Sequence, residues 1–378
     1  MKRSKNPRTK NQDKVLSGRC GLHAAPLGIR LSRFVLALGF LFLVLLVPPV
    51  SAQPNYEHRN GYTAHLVRVP ISHADTAMGY LLIPDSIVQA PAVLLLHDHG
   101  AHFTIGKEKM VCPMPRTDRD SAANEQVRQD ARRWVNKFYD GMFVGDSLAQ
   151  AGYVVLAIDA VYWGERQQAP TLSDSVAVKQ QSARTAKRSD SAAVNLKSYQ
   201  PAYYRHHLQE YGEAWFETIL RDDRACVDYL RRLPCVDSTR IAAFGFSMGA
   251  FRAWQLAACD TRVKVCIAAN WMTTRADHLG STLLPSDANP SAYSMYRPDC
   301  PADYPETAAR IAPRPFLLLY GEQDPLFTPD SVQAAIGVID SAYSHTAPTF
   351  FQTKSMPYKH LFSQQHWIKT LNFLIIHL

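Results

Sequence analysis

Ile241-Ala-Ala-Phe-Gly-Phe-Ser-Met-Gly-Ala-Phe-Arg-Ala-Trp-Gln-Leu-Ala-Ala258 is the stretch from which the fold can be read. Its first six residues, Ile241 to Phe246, are apolar apart from one glycine, the pattern of a short strand buried on both faces. Ala250 to Ala258 contains neither Gly nor Pro and suits a helix. Between the two lies Gly245-Phe246-Ser247-Met248-Gly249. A serine presented on a sharp strand-to-helix turn needs small neighbours, because the backbone there passes close to itself. The pentapeptide alone would arise by chance in roughly one chain of this length in ten. The strand before it and the helix after it give it weight.

Outward from this unit, β-rich runs alternate with helical patterns, which predicts an α/β fold: a mainly parallel central sheet with helices on both faces. Strands are expected over Ala64 to Val69, Met78 to Ile83, Ala92 to His97, Tyr153 to Ile158, Ile241 to Phe246, Val263 to Ala268, Pro315 to Tyr320 and Thr349 to Thr353. Helices are expected over Leu208 to Leu230, where Tyr211, Trp215, Ile219, Cys226 and Leu230 share a face, and over Ala250 to Ala258 and Leu361 to Ile376. Three stretches near 100–142, 160–203 and 271–312 look irregular at roughly 40 residues each, against a usual loop of about 4 to 6. Each follows a strand, so all three are expected to crowd the carboxyl edge of the sheet, where open α/β folds bind ligands, and to form a cap. Ser173 to Ser191, polar and free of glycine, reads as locally disordered.

Two further signals follow strands. Tyr320-Gly-Glu-Gln-Asp324-Pro325 offers an acid at the end of a late strand. Such a carboxylate can hold a histidine in one tautomer and stabilise its cation. Asp324 is preferred to Glu322 because Pro325 suits the turn that ends the loop. His360, after the last expected strand, is the candidate base; His366 is expected to face into the terminal helix.

With Ser247, Asp324 and His360 in that order, each just after a strand, the chain resembles the α/β-hydrolase superfamily, and within it the dienelactone-hydrolase-like and acetyl-xylan-esterase-like branch. The likeness spans nearly all of the chain beyond residue 52, including Ala151-Gly152-Tyr153 leading into Val154 to Asp159. It implies an α/β-hydrolase domain over 53–378 and a serine esterase with Ser247 as nucleophile, His360 as base and Asp324 as its orienting acid. No cofactor and no metal would be needed. Dienelactone hydrolases proper carry a cysteine where this chain has Ser247, so their particular substrate is not implied. The resemblance also implies an oxyanion site made by the N–H of Met248 and a second N–H from His97-Asp98-His99-Gly100-Ala101, with Gly100 and Ala101 both open as donors. Trp163-Gly164-Glu165-Arg166 resembles a segment that lines the site in relatives, which makes His99, Trp163, Glu165 and Arg166 candidate substrate contacts. The Arg166 fork could hold a carboxylate. Equally, Glu165 and Arg166 could pair internally and fasten the insertion.

Two other readings compete. His97-Asp98-His99-Gly100-Ala101-His102 partly resembles the H-x-H-x-D-H zinc run of metallo-β-lactamase-like hydrolases, but Ala101 stands where an aspartate is required and the later ligands have no counterparts. An exported serine peptidase of the prolyl-oligopeptidase kind would share the catalytic domain, yet the stretch before the first strands is too short for its propeller.

The first 33 residues hold nine Lys and Arg against the single acid Asp13. An apolar run of 14 residues, Phe34 to Val47, follows, and then Pro48-Pro49-Val50-Ser51-Ala52. This reads as a signal peptide over 1–52, too short in its apolar run to span a membrane, with export to the periplasm or medium. Removing it takes nine of 41 basic and one of 33 acidic residues, leaving 32 against 32. The apparent net charge of +8 therefore belongs to the leader, and no nucleic-acid partner is implied. The expected substrate is a small or oligosaccharide ester, for which Lys107, Lys109 and Arg166 in the insertions could recognise an acidic sugar. Cys112, Cys226, Cys235, Cys259, Cys266 and Cys300 would remain, as disulfides or as free thiols. The oligomeric state is not legible.

Overall fold

In the computed structural model, which describes residues 55–71, 75–85, 87–100, 102–167, 215–280 and 302–378, the apolar runs pair into one sheet. Its strands are β1 (Tyr56–Arg59), β2 (Tyr62–Pro70), β3 (Thr76–Pro84), β4 (Ala90–Leu96), β5 (Val154–Ile158), β6 (Val236–Phe246), β7 (Val265–Ala269), β8 (Phe316–Gly321) and β9 (Phe351–Met356). They lie in the order β1-β2-β3-β5-β4-β6-β7-β8-β9. The first three pair antiparallel, β3 joins β5 antiparallel, and every pair from β5 to β9 is parallel. The eight expected strands are all present, with ends shifted by a few residues. β1 was not foreseen: it is a short, polar edge strand, Tyr-Glu-His-Arg, without an apolar pattern to betray it.

The edge strand β9 is exposed along its middle, whereas strands β4, β5, β7, β8 and the second half of β6 are buried on both faces because helices cover both. These are α1 (Ser121–Phe138), α2 (Val144–Gln150), α3 (Trp215–Arg231), α4 (Met248–Cys259), α5 (Arg275–Gly280), α6 (Tyr304–Ala309), α7 (Pro329–Ser344) and α8 (Gln364–His377). Alternate residues of each strand feed two cores. Leu94, Leu96, Ile241 and Ala243 join Trp215, Ile219, Leu230, Trp254 and Ile339 on one side. Val93, Leu95, Ala242 and Phe244 join Val135, Leu148, Phe373 and Leu374 on the other.

The stretch 100–142 corrects the reading of an irregular insertion. It contains α1, capped by Asp120, whose carboxylate accepts from the Ala123 N–H at 2.7 Å. Ala131, Trp134 and Val135 of that helix are buried against the sheet. Its remaining face is so polar that the periodicity is hidden among Glu, Gln, Asp and Arg. The expected leader 1–52, the polar run Ser173 to Ser191, most of the second insertion, Leu208 to Ala214 of the helix expected over Leu208 to Leu230, and 281–301 of the third insertion lie outside the described residues. Ala101 and Cys300 do as well. Cys112, Cys226, Cys235, Cys259 and Cys266 are free thiols, so no disulfide joins cysteines among the described residues.

Topology positions the site. The chain passes from β4 to β5 on one side and then to β6 on the other, so the loops after β4 and β6 diverge from adjacent strands. A crevice opens at such a reversal, outside the carboxyl ends of the strands.

Candidate active site

Ser247 occupies the turn between β6 and α4 with φ 55 and ψ −123. Held there by its N–H on the Ala269 carbonyl at 2.8 Å, it carries backbone strain on the order of 1–3 kcal/mol that the surrounding packing must offset. The flanking glycines are required by contact. A Cβ on Gly245 would lie 2.1 Å from the Gly249 carbonyl, and one on Gly249 would lie 1.8 Å from the Leu96 carbonyl oxygen. The same approach presses the first turn of α4 against the end of β4.

Asp324 and His360 reach Ser247 from the loops after β8 and β9. The Ser247 hydroxyl donates to His360 Nε2 at 2.8 Å, and His360 Nδ1 stands 2.7 Å from Asp324 Oδ2. The carboxylate can only accept, so the proton of the neutral ring is on Nδ1 and Nε2 is free to take one. Asp324 is 3% exposed and fully engaged. Its Oδ2 also accepts from Asn270 Nδ2 at 3.2 Å, while Oδ1 accepts from the N–H groups of Leu326 at 2.9 Å and Phe327 at 3.4 Å. Asn270 sits at φ 56, a left-handed conformation that Asn tolerates. The His360 ring lies between Phe246 and Phe327, with centroids 5.0 and 5.9 Å away. This constellation can move a proton from a hydroxyl to an imidazole and hold the cation that results.

The two rival residues are placed elsewhere. Glu322 is exposed. His366 is buried in the cap of α8, where its Nδ1 accepts from the Ser363 N–H at 3.0 Å, and burial draws its pKa down to about 4.

Met248 opens α4, so its N–H has no intrahelical partner and carries the positive end of the helix dipole. Gly100 lies at φ 55, and a Cβ there would stand 2.2 Å from the Trp134 ring. Among the described residues, neither the Met248 nor the Gly100 N–H has a protein acceptor.

The histidines before Gly100 are committed to the fold. His97 Nδ1 donates to the Asp98 carbonyl at 2.8 Å and its Nε2 accepts from the Ala160 N–H at 2.9 Å. Both nitrogens are therefore spent, and burial drives the ring well below the usual histidine range. Asp98 accepts from Trp134 Nε1 at 3.0 Å and from the Tyr139 hydroxyl at 2.7 Å. The metal reading of this loop, which already lacked an aspartate at position 101, thus loses its first histidine to internal partners.

The expected substrate contacts need correction. Trp163 is wholly buried, and its Nε1 donates to the His99 carbonyl at 3.2 Å. The His99 ring, 4% exposed, packs edge-on against Trp163 and Phe103. Glu165 and Arg166 do not pair with each other. Glu165 meets Arg116, Lys107 at 3.1 Å and Arg119 at 3.4 Å, whereas Arg166 meets Asp222 at 2.8 Å and the Asp159 carbonyl at 3.1 Å. These four residues brace the loops that carry the site. Lys107 and Lys109 are fully buried and cannot greet an acidic sugar. Lys107 donates to Asp159 Oδ2 at 2.8 Å and lies 3.0 Å from Glu108. Sequence reasoning also missed a two-pronged buried pair between the helix that follows the nucleophile and its neighbour, with Arg252 of α4 donating to Asp223 of α3 through Nε at 3.0 Å and Nη2 at 2.6 Å. Removing one partner of so deeply buried a pair costs about 3–5 kcal/mol, since the other charge is left unmatched.

Comparison with known proteins adds family and fold. Residues 134–377 match the dienelactone hydrolase family. A Bacillus subtilis protein provisionally described as the hydrolase YtaP is 22% identical over 300 residues, covering 78% of this chain and 82% of that one. The glucuronoyl esterase from Solibacter usitatus has the same fold, with a TM-score of 0.53, 14% identity and 87% of each chain covered. Acetyl xylan esterase 1 from Thermoanaerobacterium sp. gives 0.51 and 13%, covering 86% of this chain and 89% of its own.

Proposed function

Because this chain belongs to the dienelactone hydrolase family, and is thus a hydrolase, we propose that it splits carboxylic esters through an acyl-enzyme on Ser247. The observation that carries the proposal is the unbroken relay from Ser247 through His360 to Asp324, at 2.8 and 2.7 Å. Ser247 Oγ attacks the ester carbonyl while His360 Nε2 takes its proton. The tetrahedral oxyanion is met by the N–H of Met248 and by a donor from the loop after β4. Its collapse expels the alcohol, which leaves with the proton from His360. Water then attacks the acyl-serine by the same route, releasing the acid and restoring Ser247. No step draws on a metal, so a chelator should leave the rate unchanged.

The substrate we propose is a small acyl or methyl ester carried on a carbohydrate. The glucuronoyl and acetyl xylan esterases of the same fold support it. With Lys107, Lys109 and Arg166 spent on internal partners, an acetyl ester of a neutral sugar is favoured over a uronate. Acetate release from acetylated xylan should exceed both methanol release from methyl-esterified pectin and hydrolysis of long-chain lipid esters. A strong preference for long acyl chains would overturn this choice of substrate.

Export is part of the same proposal, and the basic-then-apolar segment ending at Ala52 supports it. Among the described residues, no helix is long and apolar enough to cross a membrane. Protein recovered from outside the cytoplasm should begin at Gln53 by N-terminal sequencing. An intact Met1 terminus on the active protein would argue against cleavage.

A further inference from the structure

A fully buried ammonium needs a reason, because desolvation of a charge is costly and must be offset by well-placed acceptors. Lys109 is such a group. It is completely buried, and it is not chiefly the partner of a carboxylate: Asp98 Oδ1 lies 3.7 Å from Nζ, and the hydrogen bonds of that carboxylate come from Trp134 and Tyr139. Nζ instead donates to two successive main-chain carbonyls, of Asp98 at 3.0 Å and of His99 at 2.8 Å. The remaining side of the ammonium faces the Trp134 ring at 4.8 Å, with Trp163 at 5.8 Å. The His99 carbonyl receives a further donor, Trp163 Nε1.

Successive carbonyls of an extended chain point to opposite sides. Two that converge on one ammonium mean that the chain has curled just beyond β4. A trans peptide then decides the other half of the geometry. The N–H of Gly100 belongs to the same planar unit as the His99 carbonyl and points the opposite way. It is one of the two unpaired N–H groups noted above, and the loop that carries it abuts α4, since a Cβ on Gly249 would stand 3.0 Å from the His97 carbonyl oxygen. Charge on the carbonyl side also polarises the peptide and makes its N–H a stronger donor.

We propose that Lys109 is a positioning residue for the oxyanion site, holding the His99–Gly100 peptide so that the Gly100 N–H becomes the second donor beside Met248. Burial draws the Lys109 ammonium down to about 8, against the pull of Asp98, so it is still charged at neutral pH. The inference rests on the acyl-transfer reading of Ser247.

The experiment compares Lys109→Met and Trp163→Phe with the parent on one aryl acetate, and measures binding of a trifluoromethyl ketone whose adduct with serine carries an oxyanion. Loss of one oxyanion donor lowers turnover by about 10²–10³. Lys109→Met should approach that loss, with KM within about threefold of the parent and ketone affinity falling in step with kcat. Trp163→Phe keeps an aromatic ring but removes the Nε1 donor together with part of the indole, so it should show the same pattern at roughly tenfold and stays informative if Lys109→Met does not fold. Folded variants with unchanged kcat, or with ketone affinity unmoved while thermal stability drops, would reduce Lys109 to a structural ion. If Ser247→Ala retains activity, the acyl-enzyme reading itself fails, which is a separate result.

Discussion

Ser247→Ala should abolish ester hydrolysis, lowering turnover by about 10⁶, while the protein stays folded. The size of the effect follows from what the change removes. Ala keeps the Cβ that already fits the turn, keeps the N–H that is bonded to the Ala269 carbonyl, and faces the same strain at φ 55 as Ser does. Only the oxygen is lost. The measurement is paired: hydrolysis of an aryl acetate, and thermal unfolding of both proteins. Melting temperatures should agree to within about 2 °C, since the substitution opens no core cavity. A fluorophosphonate should label the parent on Ser247 and leave the variant unlabelled. Appreciable turnover by a properly folded Ser247→Ala protein would falsify the serine mechanism and return attention to the loop after β4.

Much of the architecture was legible because both halves of each βα unit carry their own pattern. Ile241 to Phe246 cannot be other than buried, and Gly245 and Gly249 are dictated by backbone contacts that no side chain survives. The residues that meet in the relay were visible for the same reason: each follows a strand end, and parallel strands bring their carboxyl ends to one edge. What stayed hidden depends on pairing across distance. Lys107, Lys109, Glu165 and Arg166 read as cleft-facing charges because charged residues are seldom fully buried unless matched, and the groups that match them, Asp159, the Asp98 and His99 carbonyls, Arg116 and Asp222, lie in other segments. No spacing rule announces such a match. Asn270 and Phe327, which hold Asp324 and flank His360, were invisible as well, although Asn just beyond the apolar end of β7 is a residue type suited to a left-handed turn. Helix α1 was missed for a further reason, since only a narrow stripe of Ala131, Trp134 and Val135 is buried along its length.

Asp324→Asn should lower kcat by about 10⁴ while leaving substrate binding nearly intact, and the hydrogen bonds around the carboxylate explain why no compensation is open to it. In the parent both oxygens accept. Oδ2 takes His360 Nδ1 and Asn270 Nδ2, and Oδ1 takes the N–H groups of Leu326 and Phe327. An asparagine must turn its NH₂ toward one of these pairs. If it faces Leu326 and Phe327, the half-buried Leu326 N–H and the buried Phe327 N–H confront a donor and the loop after β8 loses its anchor, at about 1–3 kcal/mol for each fully buried unsatisfied group. If it faces His360 instead, the loop is kept but the imidazole must accept at Nδ1. Its proton then moves to Nε2, where it opposes the Ser247 hydroxyl and leaves no base to receive a proton. The second orientation also sets the new NH₂ against that of Asn270, so the double variant Asp324→Asn, Asn270→Asp removes this clash by supplying an acceptor at position 270. The double variant should regain thermal stability and not turnover, because the side chain at position 270 meets the relay at residue 324 and not at His360 Nδ1. Steady-state kinetics and unfolding of the two variants decide the matter. Wild-type kcat in Asp324→Asn would show that His360 keeps its working tautomer without the carboxylate, and the role given to Asp324 would have to be withdrawn.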